Sequence, residues 1–439
     1  MKFSNLPLSL TDMSAPVIGI ASRTQTPKGL RLHIGLFGRR NAGKSSLINA
    51  LTNQKIAIVS DVPGTTTDPV EKACELAPIG PVVFIDTAGV DDVGELGGLR
   101  TERSLAVLGW VDVALIVCDA KALTESELEL IRTVKSTATP TIVVLNKADT
   151  ADAKELIVTQ EQVRSLGYEP VTVCASQKLN IDAVREAIVK LAQNAVEPDL
   201  PLLGDLVHPG DTVMLVTPID TGAPKGRMIL PQVQAIREVL DADAKCIVVR
   251  ENRLAETLTN EKEPPAFVVT DSQVVQSVVA QTPKTIPVTT FSIQMAYSKC
   301  DLVEMARGAA MIDFLRPGDK VMICETCSHH PQPDDIGRKK LPRWLAKKVG
   351  GELDIEVVVG KDFPVDLTPY KLILQCGGCV VTRRHMLTRL AQAKRQNIPM
   401  TNYGVAISHL QGVLERALEL HPKALKAFHE AREIFANHF

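Results

Sequence analysis

The stretch Gly38-Arg39-Arg40-Asn41-Ala42-Gly43-Lys44-Ser45 decides the fold of the first half of the chain. It matches the phosphate-binding pattern G-x-x-x-x-G-K-S/T, which is called the P-loop. An apolar, β-prone run at residues 30–37 precedes it, and residues 46–51 follow it with helical spacing. The sequence therefore predicts a strand, a phosphate-binding loop and a helix in that order.

Each residue type in this loop has a physical role. Gly38 and Gly43 let the backbone curl without a Cβ clash, so that successive N–H groups point at phosphate oxygens. Lys44 is expected to reach the β- and γ-phosphates, and the Ser45 hydroxyl is expected to bind Mg²⁺. An ordinary glycine turn is the alternative for so short a match, and the motifs farther along the chain weigh against it. The predicted nucleotide contacts in this segment are Gly38, Asn41, Ala42, Gly43, Lys44, Ser45 and Ser46.

Length and composition indicate a globular protein of several domains. The 439 residues suggest three domains, at about one domain per 150 residues. No segment approaches the roughly 18 consecutive apolar residues that span a bilayer, and the first residues, broken by Pro7 and Pro16, make a poor signal peptide. We therefore expect a cytoplasmic protein without membrane contact. Its net charge of −2 gives no overall attraction to nucleic acid, and its nine cysteines favour metal binding or redox chemistry over disulfides.

Strands and helices alternate from residue 30 to about residue 195, which predicts a doubly wound α/β domain with a mainly parallel sheet. Strands are expected at residues 82–85, 111–117, 141–145 and 171–173. Ligands of such sheets bind outside the carboxyl ends of the strands. Motifs that follow these strands should therefore converge on one site.

Three of these strands end in a motif suited to a guanine nucleotide. In Asp86-Thr87-Ala88-Gly89, Asp86 can hold Mg²⁺ through water and the Gly89 N–H can meet a γ-phosphate. In Asn146-Lys147-Ala148-Asp149, the Asp149 carboxylate can accept two hydrogen bonds that guanine donates and adenine cannot. In Cys174-Ala175-Ser176, a backbone amide can meet the guanine O6. Together with the P-loop, these motifs predict a GTP site.

This combination resembles the Era/TrmE-like branch of the P-loop GTPases, because Pro63-Gly64-Thr65-Thr66-Thr67-Asp68 looks like its first switch. By that resemblance Thr66 contacts Mg²⁺. Val90 stands where Ras-like enzymes carry the glutamine that orients the attacking water. Asn41 matches the asparagine by which related GTPases hold K⁺ beside the phosphates, although it could also merely stabilise the loop turn. Slow, potassium-stimulated hydrolysis is therefore expected, with Asn41, Lys44, Thr66, Asp86 and Gly89 as catalytic residues.

Two further α/β units follow the first domain, which is expected to span residues 1–197. A proline-rich linker leads to a second unit at residues 205–291, with no recognisable catalytic cluster. An assembly domain for dimerisation is the prediction, and a purely architectural linker domain would look the same. The third unit is expected at residues 292–439. It holds a basic run at residues 338–348, which is typical of a solvated helix face but could attract an anionic cargo.

The third unit also contains two cysteine pairs, Cys324-x-x-Cys327 and Cys376-x-x-Cys379, each of which follows a predicted strand. If these strands are parallel neighbours, Cys327, Cys376 and Cys379 meet at the edge of the sheet. A structural zinc site with four cysteines is one interpretation, but its pairs are usually only about 15–20 residues apart. Three thiolates with an exchangeable fourth position suit a [4Fe–4S] cluster.

At these positions the sequence resembles the [FeFe]-hydrogenase maturation GTPase family, HydF, whose pattern is C-x-H, a long spacer and H-C-x-x-C. Cys327-Ser328-His329 and Cys376-Gly377-Gly378-Cys379 match it. Gln375 stands where the pattern has a histidine, so histidine ligation from that position is excluded. The candidates for the fourth iron ligand are His329, His330, Asp334, water and an added ligand.

The resemblance implies a scaffold that carries a [4Fe–4S] cluster and a di-iron precursor of the H-cluster, and that delivers the precursor to apo-[FeFe]-hydrogenase. It also implies that the protein acts together with radical-SAM maturases and that it assembles into a homodimer or a larger oligomer. The alternative is an Era-like ribosome or tRNA GTPase with a zinc-stabilised tail. The near-neutral charge and the absence of a recognisable RNA-binding module count against that alternative.

Overall fold

The computed structural model describes residues 28–52, 70–87, 106–137, 139–195, 200–219, 228–326 and 335–437. These residues form three β-sheets that follow one another along the chain, with six, four and four strands. The predicted class, an α/β protein with a P-loop sheet followed by two further units with parallel sheets, is confirmed. None of the helices in the described part of the chain is long and apolar enough to cross a membrane.

The first sheet carries the P-loop. Its strands are β1 (Leu32–Phe37), β2 (Val70–Leu76), β3 (Gly80–Asp86), β4 (Val113–Asp119), β5 (Thr141–Asn146) and β6 (Val171–Thr172), and its helices are α1 (Lys44–Thr52), α2 (Glu125–Ser136), α3 (Ala153–Ser165) and α4 (Ile181–Ala195). The strand order is β2-β3-β1-β4-β5-β6. All neighbours are parallel except β2 and β3, which are antiparallel. The carboxyl ends of β1, β3, β4 and β5 therefore lie along one edge.

Local sequence explains why these elements form. Strands β4 and β5 are apolar and almost completely buried, because helices cover both faces of a parallel sheet. Burial of each Val, Ile or Leu side chain contributes about 1.5–3 kcal/mol. Thr124 and Asp152 cap the N-termini of α2 and α3, and each is paired with a Glu three residues later in a capping box. The sheet is thus a rigid base for the loops at its carboxyl edge.

The second sheet is smaller and entirely parallel. Its strands are β7 (Thr212–Val216), β8 (Lys245–Val249), β9 (Phe267–Thr270) and β10 (Val288–Thr290), with helices α5 (Leu230–Asp241), α6 (Leu254–Asn260) and α7 (Val275–Gln281). The order β10-β9-β7-β8 leaves β8 at an edge. Val248 on β8 and Val233 and Leu240 on α5 are exposed. Apolar side chains near an unpaired sheet edge favour association with another chain.

The third sheet carries the cysteines. Its strands are β11 (Lys320–Glu325), β12 (Asp354–Val359), β13 (Leu372–Gln375) and β14 (Met400–Asn402), and its helices are α8 (Phe291–Lys299), α9 (Leu302–Ala309), α10 (Leu341–Val349), α11 (Arg383–Arg395), α12 (Tyr403–Leu410), α13 (Leu414–Ala417) and α14 (Pro422–Ala436). The order is β12-β11-β13-β14, and all pairs are parallel. Cys324 on β11 pairs in register with Gln375 on β13. The two strands that precede the cysteine pairs are therefore parallel neighbours, which was the condition for bringing the cysteine pairs to one edge of the sheet.

The first and third units contact each other through a partly buried cation. Lys361, two residues after β12, lies with its Nζ 2.6 Å from Glu71 Oε1 on β2 and 3.3 Å from the ring centre of Trp110. Burial alone would raise the pKa of Glu71, but the ammonium groups of Lys28 and Lys361 outweigh it and lower that pKa to about 2. Trp110 in turn stacks on His385 of α11. The GTPase-like sheet is thus packed against the helix that follows the second cysteine pair.

Candidate functional site

The loop between β1 and α1 has the curled backbone that phosphate binding requires. Gly38 and Gly43 have φ of 147° and 94°, and Asn41 has φ of 58°. A Cβ on Gly38 would lie 2.2 Å from the Val117 carbonyl oxygen, and one on Gly43 would lie 2.2 Å from the Asn146 side-chain nitrogen. Both positions therefore require glycine. The predicted role of the two glycines has a direct structural reason.

The side chains expected at the phosphates and at Mg²⁺ lie together at this edge. Lys44 Nζ donates to the carbonyl oxygens of Gly38 and Arg39, at 2.9 and 3.0 Å, which holds the ammonium over the loop. Ser45 Oγ donates to Asp86 Oδ2 at 2.6 Å. Mg²⁺ prefers oxygen ligands. The Ser45 hydroxyl and the Asp86 carboxylate lie next to each other, so these residues fit the metal.

Asn146 ties the phosphate end of the site to the base end. Its Nδ2 donates to the Ala42 carbonyl oxygen at 2.9 Å, and its Oδ1 accepts from the Ala175 backbone N–H at 3.0 Å. Asn146 is buried, so both bonds are shielded from water. This side chain fixes the distance between the P-loop and the loop predicted to meet guanine O6.

Asp149 faces the base end of the same site. Its Oδ1 accepts from Cys174 Sγ at 3.0 Å, and its Oδ2 accepts from Gln177 Nε2 at 3.4 Å. Ser176 lies within 3.2 Å of Cys174 Sγ. Weak neutral donors of this kind orient the carboxylate. The stronger N–H donors of a guanine base can displace them.

A cavity of about 480 Å³ connects these residues. This volume lies in the range of small-molecule and cofactor sites. All of its lining residues except Thr150 are predicted nucleotide contacts; the full lining is Asn41, Gly43, Lys44, Ser45, Ser46, Asn146, Lys147, Asp149, Thr150 and Ser176. Two other predicted contacts, Thr66 and Gly89, and the neighbouring Val90 lie outside the described residues.

Sequence reasoning missed Asp119, which ends β4. Its Oδ2 accepts from Lys147 Nζ at 3.2 Å and from Arg39 Nη2 at 3.1 Å. The carboxylate therefore holds a P-loop side chain and a base-motif side chain in place. The sequence did indicate a role for Asp119, because this residue stands at the carboxyl end of a central strand, next to the strands that end in nucleotide motifs.

Asp149→Asn tests the base-reading role. Replacing the carboxylate by an amide presents an N–H to the donors of guanine, so GTP affinity should fall by about 100-fold, equivalent to roughly 2–3 kcal/mol. Xanthosine triphosphate, which offers a carbonyl at that edge, should bind better to the variant than to the original chain. Fluorescence titration measures both affinities. Asp152→Asn, in which asparagine still caps α3, is the matched control, and an unchanged GTP affinity in Asp149→Asn would contradict the assignment.

The second region of interest is the loop after β13, which holds Cys376 and Cys379. Cys376 Sγ accepts a hydrogen bond from the Thr326 backbone N–H at 3.2 Å and lies 3.2 Å from Thr326 Oγ1. Burial raises the pKa of Cys379, and the nearby Lys299 opposes that rise. Gly378 has φ of 66°, the left-handed conformation that glycine adopts without strain. The loop therefore presents thiols that are half-buried and close to hydrogen-bond donors.

Cys324 has a different environment. It is 0% exposed and belongs to the hydrophobic core beneath the sheet. Burial raises the pKa of its thiol to about 12. The thiol lies among apolar side chains with no exposed surface, which favours a packing role over a place in a closed four-cysteine zinc site.

The residues of the Cys376 loop fit an iron–sulfur cluster in their chemistry. Ligating thiolates are stabilised by hydrogen bonds of the kind that Thr326 offers to Cys376. No group of three or more His, Cys, Asp or Glu that could hold a metal ion occurs within the described ranges. The predicted third thiolate, Cys327, and the candidate fourth ligands His329, His330 and Asp334 lie outside those ranges.

Comparison with known families matches each sheet to a domain. Residues 33–147 match the 50S ribosome-binding GTPase domain, residues 202–300 match the Hydrogen maturase F dimerization domain, and residues 303–420 match the Hydrogen maturase F tetramerization domain. The prediction of a GTPase is confirmed, and the domain supports the predicted binding of GTP and Mg²⁺. The two assembly domains support an oligomer.

Individual relatives share only part of their length with this chain. The tRNA modification GTPase MnmE of Trichormus variabilis is 38% identical over 167 residues, which cover 37% of this chain and 34% of that protein. GTPase Der of Wolinella succinogenes is 35% identical over 172 residues, or 37% of this chain and 36% of that protein. Among solved structures, an Era variant of Aquifex aeolicus bound to GDP and AlF₄⁻ is 20% identical, with a TM-score of 0.33 over 52% of this chain and 97% of that one. The chain thus spans about a third of the length of these curated relatives.

Proposed function

The chain belongs to the hydrogen maturase F family, HydF, of Era/TrmE-like P-loop GTPases, and from this we propose that it is a GTP-hydrolysing scaffold for a metal cluster. In this proposal it binds a [4Fe–4S] cluster and delivers the di-iron precursor of the H-cluster to apo-[FeFe]-hydrogenase. Radical-SAM maturases of the same maturation pathway are its other proposed partners. One observation carries the proposal: Cys376 and Cys379 lie at the carboxyl edge of the third sheet, beside the end of β11.

Chain geometry supports Cys327 as the third ligand. Thr326 donates its backbone N–H to Cys376 Sγ at 3.2 Å, and Cys327 is the next residue. Consecutive Cα atoms are about 3.8 Å apart, so the residue that follows Thr326 is a natural candidate for a further ligand of a cluster bound at Cys376. Cys324, which is completely buried in the core beneath the sheet, is proposed to stay outside the ligand set. When bound, the cluster supplies an iron whose fourth position can exchange ligands.

In this proposal each of the three units has a separate role. Residues 1–197 bind and hydrolyse GTP, residues 205–291 join two copies of the chain, and residues 292–439 hold the cluster. The exposed edge strand β8, with Val248, and the exposed Val233 and Leu240 of α5 form an apolar surface suited to dimerisation. Lys361, which contacts Glu71 and Trp110, joins the first unit to the third.

Potassium is proposed to compensate for Val90. Asn41, whose φ of 58° is in the left-handed region, lines the cavity together with Lys44 and Ser45. A cation there would neutralise charge that develops on the phosphates, as an arginine finger does. Replacing Na⁺ by K⁺ at equal ionic strength should therefore raise the GTP turnover by about tenfold or more, from a slow basal rate.

Two substitutions at Asn41 separate this role from strain in the loop. Asn41→Ala removes the amide but leaves at positive φ a residue that tolerates this conformation less well than asparagine, whereas Asn41→Gly removes the amide without that strain. Both variants should keep nucleotide binding and lose the potassium stimulation, as measured by phosphate release. Equal rates in the two salts for the original chain would leave Asn41 with a structural role only.

A transfer experiment tests the proposed delivery. The chain is loaded anaerobically with cluster and di-iron precursor, freed of unbound iron and mixed with apo-[FeFe]-hydrogenase, and hydrogen evolution is measured. The original chain should activate the hydrogenase, and Cys376→Ala should not. Equal activation by both would show that delivery does not depend on the cysteine loop.

A further inference from the structure

Gln375, the residue that departs from the family pattern, is completely buried at the end of β13. A buried side-chain amide requires hydrogen-bond partners at both of its ends. Its Oε1 accepts from Arg389 Nη1 at 3.0 Å. Its Nε2 lies 3.5 Å from Cys376 Sγ, 3.4 Å from the Cys376 carbonyl oxygen and 3.5 Å from the Cys324 carbonyl oxygen. The amide therefore bridges a guanidinium and a cysteine that is proposed to bind the cluster.

The chemistry of Arg389 fixes which end of the amide faces the sulfur. A guanidinium has only donors, so the atom that it contacts must be the amide oxygen. Arg389 is 2% exposed and is itself anchored, because its Nη2 donates to the carbonyl oxygens of Gly360 and Asp362, at 2.9 and 3.2 Å. Its guanidinium also lies over the ring of Phe363. The amide N–H₂ of Gln375 is thus directed towards Cys376 by a side chain that cannot easily turn.

Thr326 supplies further donors to the same sulfur. Its backbone N–H and its hydroxyl each lie 3.2 Å from Cys376 Sγ. Donors on two strands, β13 and the end of β11, therefore converge on one thiol. Hydrogen bonds to a ligand sulfur stabilise the more negative, reduced form of an iron–sulfur cluster, and so raise its reduction potential.

We propose that Gln375 is a positioning residue that donates a hydrogen bond to the Cys376 sulfur, under the control of Arg389, and thereby raises the reduction potential of the cluster. This inference rests on the proposed cluster function. Because the Gln375 oxygen is committed to Arg389, this position supplies no iron ligand, and the fourth ligand comes from another residue or from an added molecule.

Two substitutions at Gln375 test the donor role. Gln375→Glu keeps an oxygen for Arg389 but replaces the N–H₂ by an acceptor, and Gln375→Leu removes both functions. Iron and acid-labile sulfide per chain should equal those of the original protein, because the three thiolates are intact. The reduction potential, measured by redox titration followed by EPR, should shift to more negative values in both variants. Arg389→Met should shift it in the same direction, because the amide is then free to turn.

Gln392→Leu is the matched control. Gln392 lies on the same helix, α11, and its Nε2 donates to the carbonyl oxygens of Pro364 and Val365, at 2.6 and 3.2 Å, in the loop that Arg389 also contacts. Its loss removes a comparable contact without touching Cys376, so the potential should not move. Thermal unfolding of the apo-proteins identifies any variant that fails to fold, and Gln375→Glu, which retains the Arg389 contact, keeps the test valid if Gln375→Leu unfolds.

The outcomes separate this inference from the proposed function. Unchanged potentials in folded Gln375→Glu and Gln375→Leu would overturn the inference and leave the cluster assignment intact. Loss of iron from the folded Gln375 variants would also overturn it, because Gln375 would then be needed for ligation itself. Absence of any cluster from the original chain would overturn both.

Discussion

Alanine in place of Cys376 is expected to abolish the EPR signal of the reduced cluster and to remove nearly all of the bound iron. Cys327→Ala and Cys379→Ala should have the same effect, because each of them removes one of the three proposed thiolate ligands of the cluster. Cys324→Ala should keep the signal. Its side chain is 0% exposed and packs in the hydrophobic core beneath the sheet, so its expected role is packing and not ligation.

Cys300→Ala is the control for the loss of a buried cysteine. Cys300 is also buried, with its pKa raised to about 12, and it packs in the same core as Cys324. Both variants should lower the melting temperature slightly, by leaving a small cavity, and both should retain the cluster. GTP hydrolysis should survive in all the cysteine variants, since the residues of its site belong to the first sheet. A Cys324→Ala variant that folds but loses its iron would refute the three-cysteine assignment and favour a four-cysteine site.

Lys44→Ala is expected to reduce GTP hydrolysis by about 10²–10³-fold while leaving the iron content unchanged. Lys44 Nζ is held over the P-loop by the Gly38 and Arg39 carbonyl oxygens, where it can move onto the β- and γ-phosphates. Losing one such electrostatic contact typically costs that factor in turnover. Phosphate release in saturating GTP measures the rate, and metal analysis measures the iron.

Lys121→Ala provides the comparison for a lysine outside the cavity. Among the described ion pairs, Lys121 takes part only in a long surface contact with Glu155, at 3.9 Å. Its replacement should leave hydrolysis within about twofold, as expected for an exposed pair. Hydrolysis by Lys44→Ala at the original rate would mean that the P-loop is not the catalytic site.

The parts of the fold that were predicted are those that local patterns encode. The strand, loop and helix around Gly38 and Lys44 follow from residue spacing alone, since the turn requires glycine at fixed positions. The pairing of β11 with β13 was only a condition at the level of sequence, because local patterns do not determine which strands are neighbours. The parallel register, with Cys324 opposite Gln375, meets that condition.

The parts that were missed depend on contacts between distant residues. Strand β2 mixes polar and apolar residues without a regular pattern, and it is the antiparallel edge strand of its sheet. Its Glu71 finds Lys361 almost three hundred residues later, which no local pattern reveals. In the sequence Gln375 was only a departure from a family pattern. Its partner, Arg389, lies on a helix beyond the cysteine loop, so the hydrogen bond appears only in the folded chain.

Metal analysis of the chain purified without oxygen tests the central claim most directly. The measurement is of iron, acid-labile sulfide and zinc per chain, on protein that has never been exposed to air or to added zinc. A [4Fe–4S] cluster held by Cys327, Cys376 and Cys379 predicts about four irons and four sulfides per chain and no stoichiometric zinc. One zinc per chain with no iron would contradict the account and would make the third unit a zinc-stabilised domain.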